Sequence, residues 1–228
     1  MGTPLATRVR SKLSRIARDL TLPAHERKWR RIWSRVEPIQ GWLSVGEGKW
    51  LFETARLLPP GANIVEIGSF QGRSTCCLAA ACRGNDKRVF AIDTFDGGSD
   101  LPMCNSFAAF SENLKRCGVE SYVEPIKCRS TQVAKTWNTP IHLLFIDGSH
   151  LYEEVVADFV GFFPHVIGGG MVAFHDVDET KPGVLKAWNE FFMNQFMGIG
   201  YCDRLGYGRK PENHSPRLGD GSSKQLGA

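Results

Sequence analysis

The chain has no apolar run of about 18 residues, the length a helix needs to cross a bilayer. Its opening stretch, MGTPLATRVR, lacks the apolar core of a secretory signal. Ala6 stands where an N-myristoylation motif needs Ser or Thr. A cytoplasmic protein without a membrane span is therefore the expectation. Paired cysteine spacing is missing as well. Seven cysteines, an odd number, fall at positions 76, 77, 82, 104, 117, 128 and 202 with no CxxC, which suits neither a disulfide framework nor a zinc knuckle. Reduced thiols in a core are the expectation. What is present in quantity is apolar residue, at 42% of 228, enough to bury the core of one large domain with an appendage.

Charge is unevenly spread. Up to Arg35 there are ten Lys or Arg against Asp19 and Glu26, a local balance of +8, so the remainder carries −4 of the formal +4. Val9, Leu13, Ile16 and Leu20 recur at helical spacing, and the pattern predicts a basic amphipathic helix over 7–20 and a second helix over 25–36 with Trp29 and Trp33. Such a segment suits an anionic membrane surface, an anionic substrate, a cover over a cleft, or packing in a homo-oligomer. Nucleic acid is not expected, because no ribbon of aromatic and basic residues continues past it. The division predicted is a basic helical extension or lid over 1–40, a main domain over 41–210, and a disordered polar tail, PENHSPRLGDGSSKQLGA, over 211–228.

Beyond Pro38 the pattern alternates. GEGKWLFETARLL (46–58) reads as a helix stopped by Pro59 and Pro60. Strands are then predicted at 63–67, 88–92, 122–127, 141–146 and 170–174, and helices at 73–82, 105–117, 151–163 and 182–195. HLLFID and MVAFHD are nearly continuous apolar runs, as in strands covered on both faces. That order makes an α/β protein, a Rossmann-like doubly wound parallel sheet, whose ligand sits outside the carboxyl ends of the strands.

Acids stand at four of the five predicted strand ends: Glu66, Asp93, Asp147, and Asp176 after His175. In NIVEIGSFQGRST (63–75), Gly68 and Gly72 allow a tight turn and close approach to a ligand, and Ser74 and Thr75 open the next helix. The spacing is GxxxG and not the GxGxxG of a dinucleotide site. A pyrophosphate here would meet Glu66, whereas a ligand with a cationic centre and an amino group would not. A sulfonium amino-acid nucleotide is favoured, with Asp93, 21 residues past Gly72, accepting from ribose hydroxyls.

Together GWLSVGEG (41–48), VEIGSFQGRST (65–75), AIDTF (91–95), FIDGSHLYEEVVADF (145–159) and GGGMVAFHDV (168–177) resemble class I S-adenosylmethionine-dependent methyltransferases, of the branch with small-molecule and sugar O-methyltransferases of antibiotic pathways. The resemblance covers about Gly41 to Lys210 and implies a seven-stranded sheet with its last strand antiparallel, the closing hairpin coming from 197–210. It implies cofactor contacts from Glu66, Gly68, Ser69, Gly72 and Ser74 to the methionine part, Asp93 to the ribose, Arg129 and Ser130 beside the adenine, and Asp147 near the reacting groups.

The implied reaction is in-line methyl transfer to a hydroxyl of a small molecule or sugar, which needs alignment and a general base. His150 matches the position of a base in the branch, with Asp147 as its catalytic neighbour, and an imidazole titrates near neutral pH. The plainer uses of His150 are to cap the helix beginning at Leu151 or to face solvent. Several members of the branch hold Mg2+ at the ends of strands four and five, which here are Asp147, His175 and Asp176. His175 departs from the all-acid pattern, and a hard ion prefers oxygen. Asp158 suits either packing or the site. Two other readings stand beside the enzyme: a nicotinamide oxidoreductase on a similar fold, disfavoured by the missing GxGxxG, and a methyltransferase-like domain that binds without catalysis.

Overall fold

The computed structural model describes residues 22–97 and 105–212; the predicted helix at 7–20 and the tail beyond residue 212 lie outside the described residues. Two helices come first, α1 (Ala24–Val36) and α2 (Val45–Leu57). Ser44 and Glu47 start α2 as a capping box: the Ser44 hydroxyl accepts the Glu47 N–H at 3.1 Å, and the Glu47 carboxylate accepts the Ser44 N–H at 2.7 Å. The helix ends where Leu58 turns extended before Pro59, as the residue before a proline is pushed to do.

Alternation follows: β1 (Asn63–Ile67), α3 (Arg73–Ala80), β2 (Arg88–Asp93), α4 (Phe107–Cys117), β3 (Val123–Lys127), α5 (Ser130–Val133), β4 (Ile141–Ile146), α6 (Tyr152–Phe162), β5 (Val166–Phe174), α7 (Pro182–Ala187), β6 (Met197–Cys202) and β7 (Leu205–Arg209). The sheet runs β3-β2-β1-β4-β5-β7-β6. β1 to β5 pair in parallel, and β7 is antiparallel to both β5 and β6. The chain leaves β1 toward one edge and returns at β4 to travel toward the other, so a crevice opens beyond the carboxyl ends of these two strands.

Both faces of the sheet are covered. One apolar cluster, with Leu51, Phe52, Ile64 and Leu78, lies under α1 to α4; the other, with Phe159, Phe162, Phe174, Trp188 and Phe192, lies under α6 and α7. The helix predicted over 182–195 widens after Ala187 into a π turn over Trp188–Phe192 and then tightens into a 3-10 turn. That wide turn keeps Trp188 and Phe192 buried together, with Phe192 stacked on Phe174 at 4.2 Å. β5 starts at Val166, four residues before its prediction, and its pairing with β4 shifts register between Ile141 and Leu143.

Trp29 and Trp33 are not turned toward the crevice as a cover. Trp29 is buried against Phe52 at 5.7 Å, and Trp33 packs on Trp29 under the Arg73 guanidinium. These indoles anchor α1 to the main core. Arg73 Nη1 also donates to the carbonyls of Glu37, Ile39 and Gly41, which fixes the segment after α1 at the rim of the crevice.

Two buried lysines finish helical ends. Lys87 Nζ donates to Ala55 and Arg56 carbonyls, both at 2.9 Å, and Lys210 Nζ donates to Phe163 at 3.0 Å and Val166 at 2.7 Å. Lys87 satisfies carbonyls left over by the last turn of α2, and Lys210 ties the turn after α6 to the start of β5. Replacing Lys210 by Met removes the ammonium from the Phe163 and Val166 carbonyls, leaving the first with the Val166 N–H as donor, and is expected to lower unfolding free energy by about 1–3 kcal/mol, read by denaturant titration with an unchanged slope. An unchanged midpoint would mean that solvent replaces the ammonium.

Candidate functional site

The loop after β1 is built by two glycines and one acid. Gly68 has φ +84°, and a Cβ there would lie 2.1 Å from the Asp147 carbonyl oxygen, so only glycine lets β1 run this close to the end of β4. Gly72, φ +83°, caps α3 in the left-handed region. Between them, Asp93 reaches across from β2. Its Oδ2 accepts the N–H groups of Ser69 at 2.7 Å and Phe70 at 2.8 Å, and its Oδ1 accepts that of Phe95 at 2.6 Å. Asp93 therefore shapes the loop as well as bordering the crevice.

Glu66 is fully buried at the end of β1. Its Oε2 accepts from Ser69 Oγ at 2.7 Å and from Thr75 Oγ1, while its Oε1 has no partner. Burial pushes its carboxyl up to about 7, against the opposing pull of the Ser74, Thr75 and Ser69 hydroxyls. A buried acceptor without a donor costs free energy, and this one lies behind the loop that borders the crevice.

A charged cluster closes the other side. His175 is buried after β5; its Nδ1 lies 3.1 Å from Asp147 Oδ1 and 3.3 Å from Asp176 Oδ1, and its Nε2 lies 3.3 Å from Glu47 Oε2. Burial opposes charge on the ring, yet Asp147, Asp176 and Glu47 push it up to about 12. Asp176 sits in the left-handed region at φ +61°. Its Oδ2 is 2.8 Å from His150 Nε2 and its Oδ1 is 2.5 Å from Arg204 Nη2. Burial disfavours the carboxylate, but His150, His175 and Arg204 hold it well below the usual range. Asp147, His175 and Asp176 offer ligand atoms within 4.8 Å of one another, so the three predicted metal positions do come together.

His150 lies on the loop between β4 and α6. Lys181 Nζ is 2.9 Å from its Nδ1. An ammonium only donates, so Nδ1 accepts and Nε2 carries the hydrogen toward Asp176. His150 does not cap α6, which starts after Leu151 with no side-chain cap; Ser149 Oγ accepts the Leu151 N–H at 3.1 Å just ahead of the helix. Arg129 and Ser130 open α5, and Ser130 Oγ donates to Asp158, which is buried and pushed up to about 6 by that burial. Asp158 thus ties α5 to α6 and also borders the crevice.

Two cavities occupy the crevice. The larger, about 610 Å³, is bordered by Phe70, Asp93, Arg129, Ser130 and Asp158; the smaller, about 260 Å³, by Trp42, Ser74, His150, His175, Lys181 and Arg204. They share Gly68, Phe70, Asp147 and Gly148. Of the residues predicted for the site, Gly68, Asp93, Arg129, Ser130 and Asp147 border the larger cavity, and Gly68, Ser69, Ser74, Asp147, His150, His175 and Asp176 border the smaller. Glu66 and Gly72 act from behind the loop. Glu47, Lys181 and Arg204 were not predicted. Glu47 lies inside GWLSVGEG (41–48), and that run was the signal available for it.

Residues 65–177 match the family model described as a methyltransferase domain. Among curated proteins, the chain is 28% identical to the uncharacterized protein y4gI of Sinorhizobium fredii over 68% of this chain and 17% of that protein. It is 33% identical to the uncharacterized protein R132 of Acanthamoeba polyphaga mimivirus over 55% of this chain and 57% of that protein. The chain thus spans less than two thirds of either relative. Among solved structures, it is similar to the O-methyltransferase NovP, with 17% identity, a TM-score of 0.62, and coverage of 74% of this chain and 81% of that one. It is also similar to cofactor-bound Rv0187 from MTB, with 19% identity, a TM-score of 0.61, and coverage of 93% and 100%. The O-methyltransferase TomG from Streptomyces achromogenes, in complex with SAM, gives 18% identity, a TM-score of 0.59, and coverage of 84% and 91%. These likenesses carry the fold.

Glu66 makes a pH prediction. With its folded value raised to about 7 from the ordinary 4.5, its contribution to stability is fully present below the unfolded value and is lost as pH rises through the folded one, about 3 kcal/mol in all. Glu66→Gln removes that ionisation. The variant's melting temperature should rise relative to the parent's between pH 4.5 and 7.5, and parallel profiles for the two proteins would contradict the assignment.

Proposed function

We propose, for a chain whose residues 65–177 belong to the methyltransferase-domain family, that it transfers a methyl group from S-adenosylmethionine to a hydroxyl of a small molecule or sugar. The observation that carries the cofactor choice is the loop between β1 and α3. In a phosphate-binding loop the backbone N–H groups face the anion. Here those of Ser69 and Phe70 are taken by Asp93, and the nearest buried acid, Glu66, has an oxygen with no donor. The loop repels a pyrophosphate and suits a cationic amino group. Glu66, Ser69 and Ser74 would hold the methionine part, Asp93 the ribose, and Arg129 and Ser130 would border the base. When bound, the cofactor supplies a methyl group made electrophilic by its sulfonium.

The protein's own part is orientation and proton removal. The two cavities meet at Gly68 and Asp147, which supports a cofactor side and an acceptor side joined at one point. On the acceptor side, Asp176 holds His150 by its Nε2–H, leaving Nδ1 as the basic nitrogen. A hydroxyl that takes the seat of the Lys181 ammonium at Nδ1 would give its proton there. Lys181 and Arg204 favour an acceptor that carries negative charge. Trp42, 60% exposed and 5.8 Å from Phe70, offers an aromatic wall for a ring.

Mg2+ is a separate question. The donor set of Asp147, His175 and Asp176 does not fit a hard dication that demands near-octahedral oxygen, because one donor is an imidazole and a guanidinium lies on Asp176.

Calorimetric titration with S-adenosylmethionine is expected to give saturable one-to-one binding, weakened about tenfold or more in Asp93→Asn. Absence of heat from folded protein would remove the reading. His150→Ala is expected to keep cofactor binding and, once an acceptor is in hand, to lower kcat by about 10²- to 10⁴-fold. Full turnover in that variant would shift the base to another group.

A further inference from the structure

We infer that the position between the strand-end carboxylates is held by two side chains of the protein itself, His175 and Arg204, and that this cleft excludes a divalent metal ion. The inference takes from the proposed function only the reading of the cleft as the reaction site.

The contacts leave a dication little to claim: Asp176 Oδ1 makes no hydrogen bond but lies against the Arg204 guanidinium, and Asp147 Oδ2 alone is far short of the oxygen set that a hard dication needs. Asp176 has Arg204 Nη2 at 2.5 Å on one oxygen and His150 Nε2 at 2.8 Å on the other. Asp147 Oδ1 has His175 Nδ1 at 3.1 Å. Both nitrogens of His175 face carboxylate oxygens, so both carry hydrogen and neither presents a lone pair. For the ring to become a ligand it would have to lose the Nδ1 hydrogen.

Neither cation is free to step aside. Glu47 holds His175 from behind, and Glu47 is fixed by its own bonds: Oε2 accepts the Ser44 N–H that caps α2, and Oε1 accepts the Arg204 N–H at 2.9 Å. Arg204 is gripped along its length, its backbone by Glu47, its Nε by Asp178, and its Nη2 by Thr180 Oγ1 at 3.0 Å as well as by Asp176. A guanidinium keeps its charge at any working pH. It therefore stands as a permanent positive charge in direct contact with the carboxylate that a metal would need.

Charge is also largely matched. Glu47, Asp147, Asp176 and Asp178 face the cations Arg204, His175 and Lys181, with neutral His150 beside them, across the same small space. The carboxylates exceed the cations by a single charge, so a divalent ion would overshoot neutrality. Work that a metal would do on the acceptor, fixing its oxygen and easing loss of its proton, falls to Lys181 and His150.

The test measures metal alone, without cofactor or acceptor, so its failure is separate from any failure of S-adenosylmethionine binding. The EDTA-stripped, dialysed full chain is titrated with Mn2+ and the free-ion electron paramagnetic resonance signal is read, with Mg2+ as competitor. The parent protein is expected to leave the signal unchanged up to about millimolar Mn2+. His175→Asp supplies the missing carboxylate and should bind at least about tenfold more tightly, and the double variant with Arg204→Met more tightly again. Circular dichroism confirms folding of each variant. One Mn2+ per parent chain, displaced by Mg2+ and lost in Asp147→Asn, would overturn the inference without any need for the variants. So would folded single and double variants that take up no more Mn2+ than the parent. Parent binding that survives Asp147→Asn lies elsewhere and leaves the strand-end position metal-free, as inferred.

Discussion

His175 is where the elements of the crevice are tied. Its ring reaches Glu47 on α2, Asp147 after β4 and Asp176 beside it, and Glu47 in turn takes the backbone N–H of Arg204 between β6 and β7. Taking such charges out of water costs several kcal/mol each, and the cost is offset only where every lone pair and hydrogen finds a partner. The set is coupled for that reason. Losing one member leaves the others buried and uncompensated. The pH behaviour follows from the directions: the contribution of Asp176 is present above its unfolded value and lost only as pH falls through its depressed folded value, while that of His175 is present below its unfolded value and lost as pH rises toward about 12. Around neutral pH the unit is intact.

The fold was largely legible because its signals are local. Apolar runs such as HLLFID mark strands buried on both faces, and Gly68, Gly72 and Pro59 mark turns whose backbone geometry only those residues favour. The strand-end acids could be read for the same reason, since alternation puts them at one edge of the sheet. Predictions of extent failed where packing overrode periodicity, as in the π turn that keeps Trp188 and Phe192 buried.

What was not legible is the pairing. Glu47 meets His175 across 128 residues and Arg204 across 157, and nothing in a helix start of the form SVGE announces that its carboxylate will serve two ends of the chain. Asp93 was read as a ligand group, and its bonds to the β1–α3 loop became visible only with coordinates. Trp29 and Trp33 looked like parts of a cover because aromatic residues on a basic helix serve either purpose; the side facing Phe52 decided it.

The turn that carries Arg204 joins the last two strands of the sheet, and that has a consequence for how the protein is made. The parallel strands β1 to β5 and their helices are complete by Phe192, yet the partner of Glu47 and Asp176 arrives only with residue 204. During synthesis, which proceeds from the N-terminus, the sheet has time to assemble around acids that still lack their guanidinium. The C-terminal hairpin is thus a closing clasp, and the interval before it docks is when the nascent chain exposes its least balanced charge.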